Sequence, residues 1–313
     1  MKEVRVIGFG LAGSCVAIEL KKAGFQPRIL DGGGGSTLVA AGLVNPVAGR
    51  NFEPSWELGT FLPEAVAFYR DLEKATERTF YFERPILRKW LGDKDRRKFE
   101  GKKEVVKEWI EVVSDDGVRW TGGGWLDTRK FLKAARAFLG AESFLGSEND
   151  FGDFGHHAQD GRGVLRVRCT GARGLRAGEF GNLDHRCAKG EILTLRIPGF
   201  STKEILNGGG WLIPIGEGLF RAGATYDWDG LDSGPTAIGR VKVEKMVAFL
   251  TEDADFEVLD HEAGVRPIVH RSEPVVEFCE DQGWLMNGLG SKGVIYAPRT
   301  ARLLVERMGS EEI

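Results

Sequence analysis

Apolar and polar positions along this chain of 313 residues switch repeatedly between two periods. Val4 to Ile7 form a short continuous apolar run, which predicts a buried strand. Ala12, Val16, Ala17 and Leu20 then recur at helical spacing, and the pattern stops at Gly24, so a helix follows the strand directly. PRIL at 27–30 reads as a second strand with Asp31 at its C-terminal end. FLPEAVAFYRDLEKATE at 61–77 has the apolar stripe of an amphipathic helix, and TFYFERPILRKWL at 79–91 reads as strands. A glycine turn at 122–124 leads into a helix for which Asp127 is a natural N-cap. The segment GVLRVRC predicts a strand that ends at Thr170-Gly171. KGEILTLRIPG, GGGWLIPIGEGLFRAGATYD and FEVLDHEAGVRPIV are strand-rich, with a helix between the last two at about 236–250. NGLGSKGVIYAPRTARLL at 287–304 is a glycine-rich turn running into a final helix. Strand–helix units thus alternate with β-rich stretches, which predicts two interleaved domains, each built from non-contiguous segments.

Glycine changes this picture most. There are 44 glycines, clustered at 32–35, 122–124 and 208–210, where backbone freedom or close approach matters more than a side chain. Gly8, Gly10 and Gly13 form G-x-G-x-x-G between the first strand and its helix. Gly8 allows the tight turn, Gly10 lets a pyrophosphate approach the backbone, and Gly13 lets helix and strand pack closely. The amides at Leu11 and Ala12 open the helix, where unpaired N–H groups and the helix dipole favour phosphate. Asp31 can accept hydrogen bonds from both hydroxyls of an adenosine ribose. Strand, turn, helix, second strand and terminal acid are in register, so a dinucleotide site is expected, with FAD and NAD both open. Beyond Asp31, GGGGSTLVAAGLVNPVAGRNF departs from a plain NAD domain. Its small residues suit close passage along an extended cofactor, and an ordinary surface loop is the competing reading.

Charge and cysteine content exclude other classes. The net charge of −3 offers no electrostatic footprint for nucleic acid. Cys15, Cys169, Cys187 and Cys279 are far apart without a CxxC pair, so neither a zinc site nor a disulfide framework is expected, and reduced thiols in a cytosolic protein are. His156, His157, His185, His261 and His270 show no metal spacing. The N-terminus lacks the apolar core of a signal peptide, and nothing approaches the ~18 consecutive apolar residues of a membrane span. Oligomeric state is not legible.

Together these pieces resemble the D-amino-acid oxidase superfamily of FAD-dependent oxidoreductases, nearest in style to glycine oxidase. The resemblance covers almost the whole chain. It rests on the fingerprint with Asp31, on Ser36 with AAGLVNP, GGGWLDT, CTGARG, KGEILTL and WLIPIGEGLFRAGATYD, and on AGVRP followed by NGLGSKGVIYAP. It implies an α/β fold, α+β overall: a Rossmann-type FAD-binding domain (1–78, 122–187 and 263–313) interleaved with an antiparallel β-sheet substrate domain (79–121 and 188–262). FAD becomes the expected cofactor. Ser36, Ala41, Gly42, Thr170 and Gly171 are expected beside it, and Gly288, Gly290, Ser291, Lys292, Gly293 and Val294 are expected to face the flavin ring. A helix start there would stabilise negative charge on reduced flavin, and Lys292 either adds charge or is an ordinary exposed lysine.

The resemblance also implies oxidation of a carbon bearing an amine, giving an imine that hydrolyses, with O2 as a candidate electron acceptor. Arg266 in AGVRP matches the arginine that clamps a substrate carboxylate, for which a guanidinium offers a planar fork. A structural salt bridge is its bland alternative. Trp211 and Tyr226 match pocket-lining positions, against ordinary sheet packing. The chain departs from the pattern after GVRP, where IVHRSEPVVEF puts Glu277 at an expected glycine, and it is short between 141 and 190. Two other readings stay open: a flavin domain acting on a modified tRNA base, and an FAD-binding protein without turnover.

Overall fold

A computed structural model describes residues 2–146, 165–181, 183–269, 273–280 and 282–310. Two large sheets organise them. The first has six strands in the order Phe144–Gly146, Gln26–Leu30, Glu3–Ile7, Leu165–Arg168, Gly283–Asn287 and Val275–Cys279. All its pairings are parallel except the last. On its central strand Val4 and Val6 share one face and are fully buried beneath the helices, while Glu3 and Arg5 stand on the other. The helices Leu11–Lys22, Leu58–Thr76, Thr128–Leu139 and Gly293–Ser310 pack on one another over this sheet. Their shared core includes Val16, Leu20, Tyr69, Phe131 and Leu304. Tyr69 is buried, and its hydroxyl donates to the Val294 carbonyl at 2.9 Å, so the apolar packing leaves no stranded polar group there.

The second sheet has eight strands in the order Glu257–Arg266, Ala188–Arg196, Leu219–Gly223, Trp211–Gly216, Ile205–Asn207, Ile86–Lys89, Gly117–Trp120 and Ile110–Val113. It is antiparallel except where Ile205–Asn207 runs parallel to Ile86–Lys89. Leu193, Leu195, Leu212 and Phe220 pack on Val243, Val247 and Leu250 of the helix Ala237–Thr251. The other face looks onto the first unit. Register aligns Ile192, Gly223, Trp211, Asn207 and Arg88 in one row across it.

Most elements fall where the pattern puts them. Asp127 caps its helix by accepting from the Lys130 amide at 3.0 Å. Thr236 caps Ala237–Thr251 through the Gly239 amide at 3.0 Å. The helix read at 61–77 is Leu58–Thr76, entered through Glu57 in a left-handed conformation (φ 43°) that gave no sequence signal. The helices Asp93–Glu100 and Lys103–Val106 were not legible: only Phe99 and Val106 in them are buried, too sparse for a stripe. Among the described residues, no helix is long and apolar enough to cross a membrane.

Candidate active site and cofactor cleft

A cavity of about 1670 Å³ runs between the two sheets. That exceeds the roughly 300–1,000 Å³ of a site for one drug-sized ligand, so it can take an extended cofactor and a substrate together. One end is built from backbone. Gly8 has φ +92°, a conformation that favours glycine, and an added Cβ would meet the Cys169 carbonyl oxygen at 2.6 Å. A Cβ on Gly13 would lie 1.8 Å from the Gly8 oxygen, so the helix can sit on the turn only with glycine there. Gly10, the N-cap of the helix Leu11–Lys22, has no side chain to cap it, and the first helix amide, Leu11, is instead held by Thr37. Gly8, Gly10, Leu11 and Ala12 reach the wall, while Gly13 stands behind it as a packing residue.

Asp31 also reaches the wall, and its Oδ1 accepts from the Phe9 amide at 3.1 Å. A carboxylate has further lone pairs to spare after one such bond. The run Gly33, Gly34, Gly35 has positive φ throughout and open space around each Cα, so the chain passes the cavity edge without side chains. Ser36, Ala41 and Gly42 follow on the wall. Gly42 has φ +69°, and a Cβ there would lie 1.9 Å from the Leu126 oxygen. Thr170 and Gly171 line the opposite side, where the Gly171 carbonyl accepts from Asn287 Nδ2 at 2.9 Å.

The closing turn brings Gly290, Ser291, Lys292, Gly293 and Val294 to the wall. The Gly290 amide bonds the Pro267 oxygen at 2.9 Å, and the helix Gly293–Ser310 starts there. The first amides of a helix have no partner within it. Gly288 is not among the wall residues: its Cβ position is aimed at Val269 Cγ2 2.8 Å away and its amide is held by Asn287 Oδ1. Lys292 is half-buried, not an exposed lysine, and burial lowers its pKa from the ordinary value.

The far end is built from side chains. Arg266, Trp211 and Tyr226 all line it. The Nη1 and Nη2 atoms of Arg266 donate to the Thr225 carbonyl at 3.2 and 3.3 Å. Its guanidinium lies 4.9 Å from the Tyr226 ring centre, and burial lowers its pKa from the ordinary value. No carboxylate pairs with it among the described residues. Gly190 on the neighbouring strand makes its room: a Cβ there would lie 2.1 Å from Nη2. Tyr226 is nearly half exposed and packs edge-on against Trp228 at 4.8 Å, while Trp211 is half-buried.

Other contributors were missed in the sequence. Thr37 Oγ1 accepts the Leu11 amide at 3.0 Å. Arg221 donates to the Val39 and Ala40 carbonyls and pairs with Glu262 at 3.2 Å, and Arg129 bonds both Leu38 and Glu262. These join residues far apart in the chain, which no local pattern reports. Glu277 sits exposed on the edge strand Val275–Cys279 and off the cavity wall. His270, Arg271 and Ser272 of the same segment lie outside the described residues, as do His156 and His157. His185 and His261 are off the wall, the latter bonded to Glu191 at 2.8 Å.

The family description "FAD dependent oxidoreductase" matches residues 3–307. The chain belongs to that family. FAD is thus the cofactor of this FAD-dependent oxidoreductase, and the cleft fits it: a helix start opened by glycine, an acid with free lone pairs, a glycine rim, and length enough for the nucleotide and a ring system. Asn45, buried on the wall, has an Oδ1 with no partner among the described residues, as expected of an acceptor waiting for a ligand donor.

The chain is 29% identical to a glycine oxidase of Pseudomonas aeruginosa over 128 residues, 40% of this chain and 35% of that one. The match therefore spans about a third of that relative's length. Over all of this chain the fold matches the glycine oxidase of Bacillus cereus, at a TM-score of 0.80 with 16% identity and 96% of that chain covered. An iminodiacetate oxidase from Chelativorans sp. BNC1 matches over 99% of this chain and 96% of its own, at a TM-score of 0.75 and 21% identity.

Proposed function

We propose that this oxidoreductase removes a hydride from the carbon of a C–N bond in a small amino acid or secondary amine. Arg266 carries the reading: a half-buried guanidinium on the wall of an FAD cleft, with room made by Gly190 and no acidic partner among the described residues. A charge taken out of water without a counter-ion is costly, and an incoming carboxylate repays it with a bidentate pair. The glycine oxidase and iminodiacetate oxidase relatives act in their own names on substrates of this kind. On this reading the chain divides into FAD-binding segments 1–78, 122–187 and 263–313 and substrate segments 79–121 and 188–262; the two large sheets support the division broadly, with the strand Glu257–Arg266 running across the boundary.

FAD, when bound, supplies the two-electron acceptor, taking the hydride at N5 of its flavin ring. The protein's part is placement. Arg266 holds the carboxylate so that the Cα hydrogen is aimed, while Trp211 and Tyr226 wall the substrate and exclude water. Neither described histidine is needed on the wall, because an amine that arrives neutral loses no proton to a protein base before the hydride leaves. The helix start at Gly293 directs its partial positive charge, and Lys292 its full one, into the cleft where negative charge develops. The imine product hydrolyses in water. O2 is the candidate acceptor that would make the enzyme an oxidase. The cytosol is its proposed place, supported by four free cysteines, three of them buried.

The test is anaerobic mixing of the holoprotein with a panel of amino acids and N-alkyl amines while following flavin absorbance. Bleaching by members of the panel is expected. A flavin that stays oxidised throughout points to a protein without amine turnover.

A further inference from the structure

The guanidinium of Arg266 is already half engaged before any ligand arrives. Nη1 and Nη2 both donate to one oxygen, the Thr225 carbonyl, at 3.2 and 3.3 Å. A guanidinium is a planar fork with N–H donors along its edges. The end-on edge, between Nη1 and Nη2, is thus taken by the protein. Nε has no partner among the described residues. The side edge, between Nε and Nη2, therefore keeps two parallel N–H groups, the arrangement that matches the two oxygens of a carboxylate. Gly190 lies against the flat of the group: an added Cβ would meet Nη2, Cζ and Nη1 at 2.1, 2.4 and 2.6 Å, so the strand covers a face and leaves the side edge clear.

We propose that Thr225 is a positioning residue for the substrate carboxylate: its carbonyl fills the end-on edge of Arg266 and turns the Nε–Nη2 edge towards the substrate. This inference rests on Arg266 holding the carboxylate as proposed above. What Thr225 supplies is direction, because the charge belongs to Arg266. A guanidinium free to turn would receive a carboxylate on either edge and present the Cα hydrogen in two directions. With one edge filled, one placement remains, and the hydrogen is aimed before the reaction starts.

Thr225 is fixed well enough for that task. It is 2% exposed and stands between Ala224 and Tyr226, both on the cleft wall. Its Oγ1 accepts from the Glu191 amide at 3.0 Å, and its own amide donates to the Glu191 carbonyl at 3.3 Å. Glu191 is locked in turn. Its carboxylate is fully buried and accepts from the Thr236 amide at 2.8 Å and the Thr236 hydroxyl at 2.9 Å. His261 Nε2 at 2.8 Å and Lys189 Nζ at 3.3 Å complete its partners. A buried carboxylate with its lone pairs filled in this way holds its strand in one place. Gly190, which seats the guanidinium, is the chain neighbour of Glu191. Tyr226, whose ring centre is 4.9 Å from the guanidinium, is the chain neighbour of Thr225. One hydroxyl thus ties both sides of the carboxylate site to the same buried anchor.

The test keeps the charge of Arg266 and loosens what holds it. Thr225→Val is close to threonine in shape and removes the hydroxyl that ties residue 225 to Glu191. Anaerobic holoprotein is mixed with the amino acid that bleaches the flavin best and with its carboxamide, which lacks the carboxylate. The limiting rate of flavin reduction at saturating amino acid is expected to fall about two- to tenfold, the range of one neutral hydrogen bond, with a smaller change in the half-saturating concentration. The carboxamide rate, FAD retention and the flavin spectrum should stay as they are, and Thr225→Ser should restore the rate. Where the carboxamide does not bleach, its titration against the oxidised flavin spectrum replaces its rate. A loss shared equally by the carboxamide, or an amino-acid rate indifferent to Thr225→Val, overturns the proposal. If Thr225→Val does not fold, Thr225→Ala and Thr225→Ser are compared in the same way. Should no amine bleach the flavin, acetate is titrated against the oxidised flavin spectrum instead. Acetate weakened by both Arg266→Lys and Thr225→Val keeps the positioning role while the amine reaction falls. Acetate weakened by Arg266→Lys alone keeps the arginine and removes Thr225. Acetate indifferent to Arg266→Lys removes both.

Discussion

The two ends of the cleft solve binding in opposite ways. The nucleotide end is nearly all backbone: Gly8, Gly10, Gly42 and the glycine run after Asp31 are there for what they lack, with one acid supplying the side-chain chemistry. The substrate end is side chain: guanidinium, indole and phenol standing on a sheet, with Gly190 clearing space for one of them. A backbone site ties affinity to the fold itself, so damage there should unfold the protein or release the cofactor. A side-chain site can be altered while the fold stays, so damage there should change rate and selectivity.

Gly13→Ala attacks that contrast with the largest expected effect. The new Cβ meets a backbone oxygen at 1.8 Å and neither partner is a flexible side chain, so helix and turn must separate. We expect roughly 3 kcal/mol of lost stability, the upper part of the usual overpacking range, together with loss of FAD. Thermal unfolding and the flavin absorbance of purified protein check both. A stable yellow variant would mean that the nucleotide end tolerates rearrangement and is not a backbone site in this sense.

Arg266→Lys probes the other end. Charge is kept and the planar fork is lost, so flavin reduction efficiency should fall about 10- to 150-fold, equivalent to roughly 1.5–3 kcal/mol, while the flavin spectrum and its retention hardly change. Rapid-reaction reduction beside a dilution assay reads the two separately. A variant that sheds FAD but reduces at the normal rate when loaded would make Arg266 a structural residue.

Asp31→Ala has the smallest expected effect. It removes the ribose acceptor and should weaken FAD by about 1–3 kcal/mol with the apoprotein still folded. Release of flavin on dilution, with circular dichroism unchanged, is the expected pair of results. Undiminished retention would show that the amide of Phe9, not the ribose, is the main claimant on this carboxylate.

The same contrast explains what the sequence disclosed. A backbone site leaves its signature in consecutive residues, because glycine spacing, strand and helix patterns and the acid at 31 all follow from local geometry. The G-x-G-x-x-G turn was therefore readable down to the separate task of Gly13. At Gly288 glycine spacing shows that a side chain is excluded without showing which neighbour excludes it, here Val269. At the substrate end, Arg266, Trp211 and Tyr226 came into view through family resemblance, since nothing local distinguishes a wall residue from a packed one on a strand. Gly190 was invisible for the same reason: its partner is 76 positions away, as the numbering of Arg266 shows. The clamp of Arg129 and Arg221 on Glu262 belongs to the same class.

That clamp has a consequence for how the enzyme is loaded. Glu262 is held from one side by Arg129, which also grips the Leu38 carbonyl, and from the other by Arg221, which grips Val39 and Ala40. One carboxylate thus fastens the rim that follows Asp31 to the sheet above the substrate. Cofactor binding and the seating of that sheet become parts of one equilibrium, and linkage is reciprocal: whatever steadies the sheet tightens FAD, and FAD in turn steadies the sheet. A substrate gripping Arg266 from below would tighten the cofactor without touching the nucleotide.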